Sequence, residues 1–207
     1  MTDETRAKAP PVRRRSIGAQ RNPDSREAIL RAAEAILSEK GLSAFSIEAV
    51  ARVAKAGKPT IYRWWPSRAA LLLDAYQLNK TSIPTPDTGS VEEDLFLFLR
   101  NLVAYWLGGG AGAIFRSVVA EAQINEEALA ALSAFLVERR QQSAEMLRRA
   151  KARNEIEPWV DPVTVIETLS SFALDRLLTN RLDLTDDELR AFLRPIVRGI
   201  KVSSLKC

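Results

Sequence analysis

The 207-residue sequence predicts an all-α protein of about nine helices in two parts. A three-helix N-terminal unit with a linking fourth helix precedes a larger C-terminal helical bundle. Apolar residues recur at helical spacing almost to the end of the chain, and no segment alternates as a strand would. Capping residues stand at the start of successive apolar stripes. One Pro/Thr/Gly stretch, residues 81–89, breaks the pattern and is the predicted domain boundary.

Residues 1–22 carry Arg6, Lys8, Arg13, Arg14, Arg15 and Arg21 among few large apolar residues, which predicts a disordered basic arm. Such an arm could follow phosphates or enter a minor groove; a solvated tail is an equally good reading. The first helix opens at Asn22-Pro23-Asp24, a cap with proline in the first turn. It buries Ile29, Leu30, Ala33, Ile36 and Leu37 and closes at Gly41. Ser46–Ala54 forms a second helix on Ile47 and Val50, with Ala51 and Val53 as further core candidates. Pro59–Trp65 forms a third. Ser67 caps a fourth, carrying Leu71, Leu72, Leu73, Ala75 and Tyr76. Together these make a unit over residues 23–80.

Residues 90–207 make the second unit. Ser90 and Glu93 predict a capping box for a helix to about Leu107, apolar on nearly every side as befits the middle of a bundle. Gly108–Gly112 predicts a flexible loop into a helix over about 113–123; it lacks the Lys-Ser/Thr of a phosphate loop and follows no strand. A long helix runs from Asn125 to near Arg153, with Leu129, Leu132, Leu136 and Leu147 on one stripe. Asp161-Pro162 opens a helix to about Arg181. Thr185 and Glu188 form another capping box, opening a last helix in which Pro195 predicts a slight bend.

The charge is unevenly spread. Residues 1–80 hold 15 Lys/Arg against 8 Asp/Glu, a net +7, and the remainder is −3. A basic first third on an acidic body suits a polyanion partner at one end; ordinary surface charge explains it equally well. There is no His and a single Cys, Cys207, so no disulfide forms within the chain, which suits a reducing cytoplasm. Zinc sites of His and Cys are excluded, as is catalysis by a Ser-His-Asp triad or a Cys-His pair. No metal and no cofactor is expected. The longest charge-free stretch, Asn101–Phe115, is Gly-rich and short of the roughly 20 residues of a membrane span, and no signal peptide is visible.

The run Ser46–Arg68, SIEAVARVAKAGKPTIYRWWPSR, has the layout of a helix-turn-helix. In such a unit one helix braces against the DNA backbone and a sharp turn sets the crossing angle. The second helix enters the major groove with its N-terminal side chains at base edges. Ser46 caps the bracing helix, Lys55-Ala56-Gly57 is the turn, and Lys58-Pro59-Thr60 starts the reading helix. Lys58 and Arg63 can reach guanine O6 and N7. Tyr62 and Trp64 can donate to phosphate oxygens, and Arg68 is placed for a phosphate.

At these residues the sequence resembles the TetR family of transcriptional regulators. The family signature is Thr-Ile/Leu-Tyr-x-x-Phe-x-Ser/Asn-Lys-x-x-Leu. Here it reads Thr60-Ile61-Tyr62-Arg63-Trp64-Trp65-Pro66-Ser67-Arg68-Ala69-Ala70-Leu71. The match spans about Arg26 to Gln77; the later half is similar in layout only. The resemblance implies phosphate contacts from Ser46, Thr60, Tyr62, Trp64 and Arg68. Lys58, Pro59 and Arg63 fall at positions that vary with the operator. It implies a homodimeric repressor, not an enzyme, on a palindromic double-stranded operator, released by a small, partly apolar effector. Three departures stand out: Lys55 replaces the usual turn Gly, Gly57 the usual Ser/Thr cap, and Trp65 the usual Phe. Trp65 is expected in the core.

An effector cavity needs apolar walls with a few convergent polar groups. Phe98, Leu102, Tyr105 and Trp106 are the candidates on the apolar helix, with Phe115, Val119, Phe172 and Arg176 on helices expected to face it. Arg116, Glu121 and Asp175 are charges among apolar helices, exposed or paired on the plainest reading. The last two helices are the candidate dimer face, through Ile166, Leu169, Phe172, Ala173 and Leu177 on one, and Leu189, Phe192, Leu193, Ile196, Val197 and Ile200 on the other. The alternative is that both stripes are spent inside one subunit. Two other functions stay open on the residues alone: an all-helical enzyme using carboxylates such as Glu121 and Asp175, or a Lys, and a helical protein-interaction module.

Overall fold

Ten α-helices occupy the residues described by the computed structural model, 23–78, 85–108 and 110–202. They are α1 (Pro23–Lys40), α2 (Ile47–Val53), α3 (Lys58–Trp64), α4 (Arg68–Leu78), α5 (Val91–Leu107), α6 (Ala111–Ala122), α7 (Glu126–Ser143), α8 (Glu145–Ala152), α9 (Pro162–Leu178) and α10 (Asp186–Ile200). The basic arm, the cap residue Asn22, residues 79–80 and residues 81–84 of the expected break lie outside the described residues. Among the described residues no strand forms beyond one isolated bridge between Ile156 and Lys201, and no single helix is long and apolar enough to cross a membrane.

Side-chain caps start most helices. Ser46, Ser90, Asn125, Asp161 and Thr185 each accept a backbone N–H three residues on, and Ser67 does so from Ala70. The Thr185–Glu188 box forms in full. The one expected at Ser90 is only half made, because Glu93 reaches across to the Arg190 guanidinium of α10 at 3.1 Å. The expected loop 108–112 is shorter than read. Gly110 takes a left-handed φ of +80° and α6 begins at Ala111. Gly112 then lies against the end of α5, where a Cβ would sit 2.5 Å from the Trp106 carbonyl oxygen.

The long helix expected over 125–153 divides at Ala144, which is why there are ten helices rather than nine. The break lets Met146, Leu147 and Ala150 turn inward, with α8 packed on α5 and α9. Leu132 and Phe135 are buried, whereas Leu129, expected on the same stripe, is exposed. Val53 is likewise exposed and not core. Pro195 lies within α10, whose helix continues past it to Ile200.

The two parts share one core. Helix α4 packs on α1 and also on α6 and α7, and its Ala69, Leu71, Leu72 and Ala75 are fully buried. Helix α5 lies centrally against α6, α8, α9 and α10. Where residues 85–90 enter α5, the wholly buried Asp94 accepts from the Thr88 amide (2.7 Å) and hydroxyl (2.8 Å). Arg153 at the end of α8 lies 3.6 Å from its other oxygen. Arg153 also pairs with Asp87 and Glu155, and Glu155 accepts the Val91 amide at 2.6 Å. Burial would raise the Glu155 pKa, but the Arg153 and Val91 hydrogen bonds outweigh it and hold this carboxyl below the usual range.

The α9 and α10 stripes face inward. Ile166, Leu169, Ala173, Leu177, Leu189, Leu193, Val197 and Ile200 are all buried within one subunit, since α9 and α10 both pack on α5. These eight expected dimer residues are therefore core. Phe172, Phe192 and Ile196 remain half-exposed, with the Phe172 and Phe192 rings stacked at 3.7 Å between the two helices.

Candidate nucleic-acid interface and effector cavity

Helices α2 and α3 meet at a tight turn in which Lys55 has a φ of +51°. That left-handed conformation costs a non-glycine residue roughly 1–2 kcal/mol. Gly57 then caps α3 with no side-chain hydrogen bond, and proline sits in the first turn. Ile61 is buried and fixes the inner face of α3. Trp65, just beyond its end, is buried as expected and donates from Nε1 to Asp74 at 2.9 Å. The same carboxylate receives Arg26 of α1 at 2.7 Å, so one α4 aspartate ties α1 and the end of α3 to α4.

The outer face of α3 presents Lys58, Pro59, Tyr62 and Arg63, all exposed, with Thr60 and Trp64 half-buried. Ser46 holds the start of α2 by accepting the Ala49 amide at 3.1 Å. Lys58 is ion-paired with Glu48 in the first turn of α2. That hydrogen bond holds the Glu48 carboxyl below the usual range and the Lys58 ammonium above it. One basic side chain expected at the bases is thus shared with a carboxylate in the free protein.

Arg68, expected at a phosphate, is engaged within the free protein. Its half-buried guanidinium turns to α6, where Nη1 meets Glu121 and Ser117, each at 3.2 Å. It also lies over the Phe45 ring at 5.5 Å. Glu121 accepts the Ala69 amide as well, at 3.2 Å. The first turn of α4 has free amides and a helix-dipole charge that attract a carboxylate, and Glu121 supplies it from the other part of the chain. Of the other charges among the apolar helices, Arg116 donates to the Leu177 carbonyl and Asp175 pairs with Arg181.

A cavity of about 90 Å³ opens between α4, α5, α6, α7 and α9. Four expected residues line it: Phe98, Leu102, Trp106 and Phe115. Tyr105 lies on a neighbouring recess with Gly108 and Ile114, its hydroxyl donating to the Tyr76 carbonyl at 3.2 Å. Val119, Phe172 and Arg176 do not line the cavity. Phe172 faces Phe192, and the Arg176 guanidinium lies over the Phe172 ring at 5.0 Å.

The walls also include residues that sequence reasoning passed over. Tyr76 comes from α4 itself, and its hydroxyl accepts Trp106 Nε1 at 3.0 Å. Burial pushes the Tyr76 phenol far above its ordinary range, so it stays protonated. Phe135, Arg139, Arg140 and Ser143 come from α7, and Ser170 and Ser171 from α9. Phe135, Arg139 and Ser143 recur every four residues along α7, a spacing visible in the sequence, but no apolar stripe marks it as a cavity wall.

Comparison with known proteins agrees with this architecture. Residues 29–75 match the family described as "Bacterial regulatory proteins, tetR family". Residues 85–196 match the "Tetracyclin repressor-like, C-terminal domain". The HTH-type transcriptional regulator YdeS of Bacillus subtilis is 29% identical over 189 residues, covering 90% of this chain and 95% of that one. The HTH-type transcriptional regulator AqdR of Rhodococcus erythropolis is 32% identical over 146 residues, 70% of each chain. The crystal structure of the TetR family transcription regulator SCO0332 superposes with a TM-score of 0.74 at 29% identity, over 86% of this chain and 100% of that one. Matched along both its reading unit and its helical bundle, the chain belongs to the TetR family of transcriptional regulators.

Proposed function

We propose that this regulator is a homodimeric repressor whose α3 helices read the two halves of a palindromic operator and whose cavity binds the effector that releases it. Residues 23–80 form the reading domain and residues 90–207 the sensing and dimerising domain, with residues 1–22 as a basic arm. Lys58, Pro59 and Arg63 choose the bases, while Ser46, Thr60, Tyr62 and Trp64 hold the phosphates. Two-fold symmetry sets the α3 helices about 34 Å apart, one helical turn of DNA, or a multiple of it. Phe172, Phe192 and Ile196 form the centre of the contact between subunits. The protein acts where its operator is, in the cytoplasm.

The observation that carries the reading is the course of α4. It starts at Arg68, directly after the reading helix, and ends near Tyr76 in the cavity wall. An effector that fills the cavity better in one position of Tyr76 favours the matching position of α4, and α3 moves with it. The shift in operator affinity is then the difference in effector affinity between the two conformations.

The test is operator binding by a variant carrying Arg63→Ala and Tyr62→Phe. The duplex is selected from a random pool, and anisotropy follows the complex across a salt series. Affinity should fall by roughly tenfold or more, as the loss of a base contact of about 1–3 kcal/mol requires. Unchanged affinity removes α3 as the reading helix.

A further inference from the structure

The cavity is not uniformly apolar, and the charges among its lining residues have one sign. Phe98, Trp106, Phe115 and Phe135 line it together with Arg139, Arg140, Ser143, Ser170 and Ser171. No Asp or Glu is among the lining residues described. The carboxylate on Arg140 is the exposed Glu167, which meets Nη1 at 3.1 Å and is not among the lining residues. Arg140 Nε is buried and makes no hydrogen bond. Arg139 is held by Gln142 Oε1 at 2.7 Å, a neutral partner that leaves its charge uncompensated. Arg149 and Arg176 share a buried Nε that makes no hydrogen bond, and among these three arginines it is Arg140 that lines the cavity. Two guanidiniums and three serine hydroxyls around an apolar cavity match a carboxylate better than any neutral or cationic group.

We infer that the effector is a small amphipathic anion: a single-ring or short-chain apolar body carrying a carboxylate. The body lies against Phe98, Trp106 and Phe115, and the carboxylate accepts from Arg140 Nε, Arg139 and the serine hydroxyls. This assignment rests on reading the cavity as the effector site, and it goes further by naming the chemistry selected there. A cation is repelled by the arginines, and a neutral isostere leaves the buried N–H without a strong acceptor.

The probes are phenylacetate and hexanoate, their neutral isosteres phenylacetamide and hexanamide, and the cation phenethylamine. Binding to the full chain is followed by calorimetry and thermal shift without DNA, in the wild type and in Arg140→Gln and Arg139→Gln. The carboxylates should bind at least tenfold more tightly than their amides. Phenethylamine should not bind, and the preference should collapse in Arg140→Gln while the apolar contribution persists. Equal binding of acid and amide, preference for the amine, no binding of any probe at millimolar concentration, or a preference untouched in both variants overturns the assignment. A separate arm adds phenylacetate to the protein–operator complex. Carboxylate selectivity without any change in operator affinity leaves the anion site standing and overturns the effector reading of the cavity.

Discussion

Arg68 separates two accounts of the start of α4, and replacing it by alanine decides between them. The family resemblance implies a phosphate contact, whereas the structure commits the guanidinium to Glu121 and Ser117 of α6 and to the face of Phe45. At an effective dielectric near 20, unit charges about 4 Å apart attract by ~4 kcal/mol. The side chains of Arg68 and Glu121 keep 30% and 21% of their exposure, and desolvation together with this partial exposure reduces the net value to ~1–2 kcal/mol. The packing on Phe45 adds up to ~1 kcal/mol. Arg68→Ala should therefore lose about 2 kcal/mol of stability, a Tm decrease of ~4–8 °C for a chain of this length. The second readout is the slope of log K against log salt for an operator duplex, measured by anisotropy. Removing one phosphate neutralisation from each subunit of a dimer flattens that slope by ~1.8; an interdomain arginine leaves it unchanged. A slope flatter by about that amount, with Tm held within ~1 °C, would show that Arg68 belongs to the DNA and refute its assignment to α6.

Other outcomes rest on the same geometry. Lys55→Gly relieves the left-handed φ of +51° and should raise stability by up to ~1 kcal/mol in denaturant melts, with Lys55→Ala as the control for lost charge. Leu193 is 2% exposed, so Leu193→Ala should cost ~2–4 kcal/mol of folding stability, whereas Phe192→Glu should dissociate the dimer in sedimentation while leaving the helical content of the subunit intact. Gly112→Ala drives a Cβ into the Trp106 carbonyl and should destabilise by ~1–3 kcal/mol in thermal unfolding. Glu155 has a folded pKa below its ordinary 4.5; its stabilisation is present above that value and is lost as pH falls through the lowered one. Glu155→Gln should thus be less stable than wild type near neutrality, and the two should converge only as pH falls through the lowered folded pKa.

Much of the fold was legible in the sequence because it is local. Caps at Ser46, Asn125, Asp161 and Thr185 announce themselves by residue type and by the apolar stripe that each one opens. The reading helix is short, basic and aromatic, with Ile61 as its single inward anchor. The illegible features depend on residues far apart in the chain. Nothing near Arg68 points to Glu121, 53 residues on. The stripes of α9 and α10 state that a face is buried, but not whether by α5 or by a second subunit. The division at Ala144 carries no glycine or proline, since it arises from where Met146 and Leu147 find their partners. Arg139 and Arg140 carry no cavity signal in the sequence, because the cavity they border is completed by α9, which the sequence cannot orient.

Helix α4 has one further consequence. It is anchored at its first turn by Glu121, in its middle by Asp74 to α1 and Trp65, and near its end by Tyr76 to Trp106. Its buried side belongs to both cores at once. The reading unit therefore has no separable hydrophobic interior, and the two parts should melt together in one cooperative transition. Amide exchange in α4 should track global opening rather than local fraying. Any ligand that tightens the bundle then also slows the unfolding of the helices that touch DNA, even where it leaves their position unchanged.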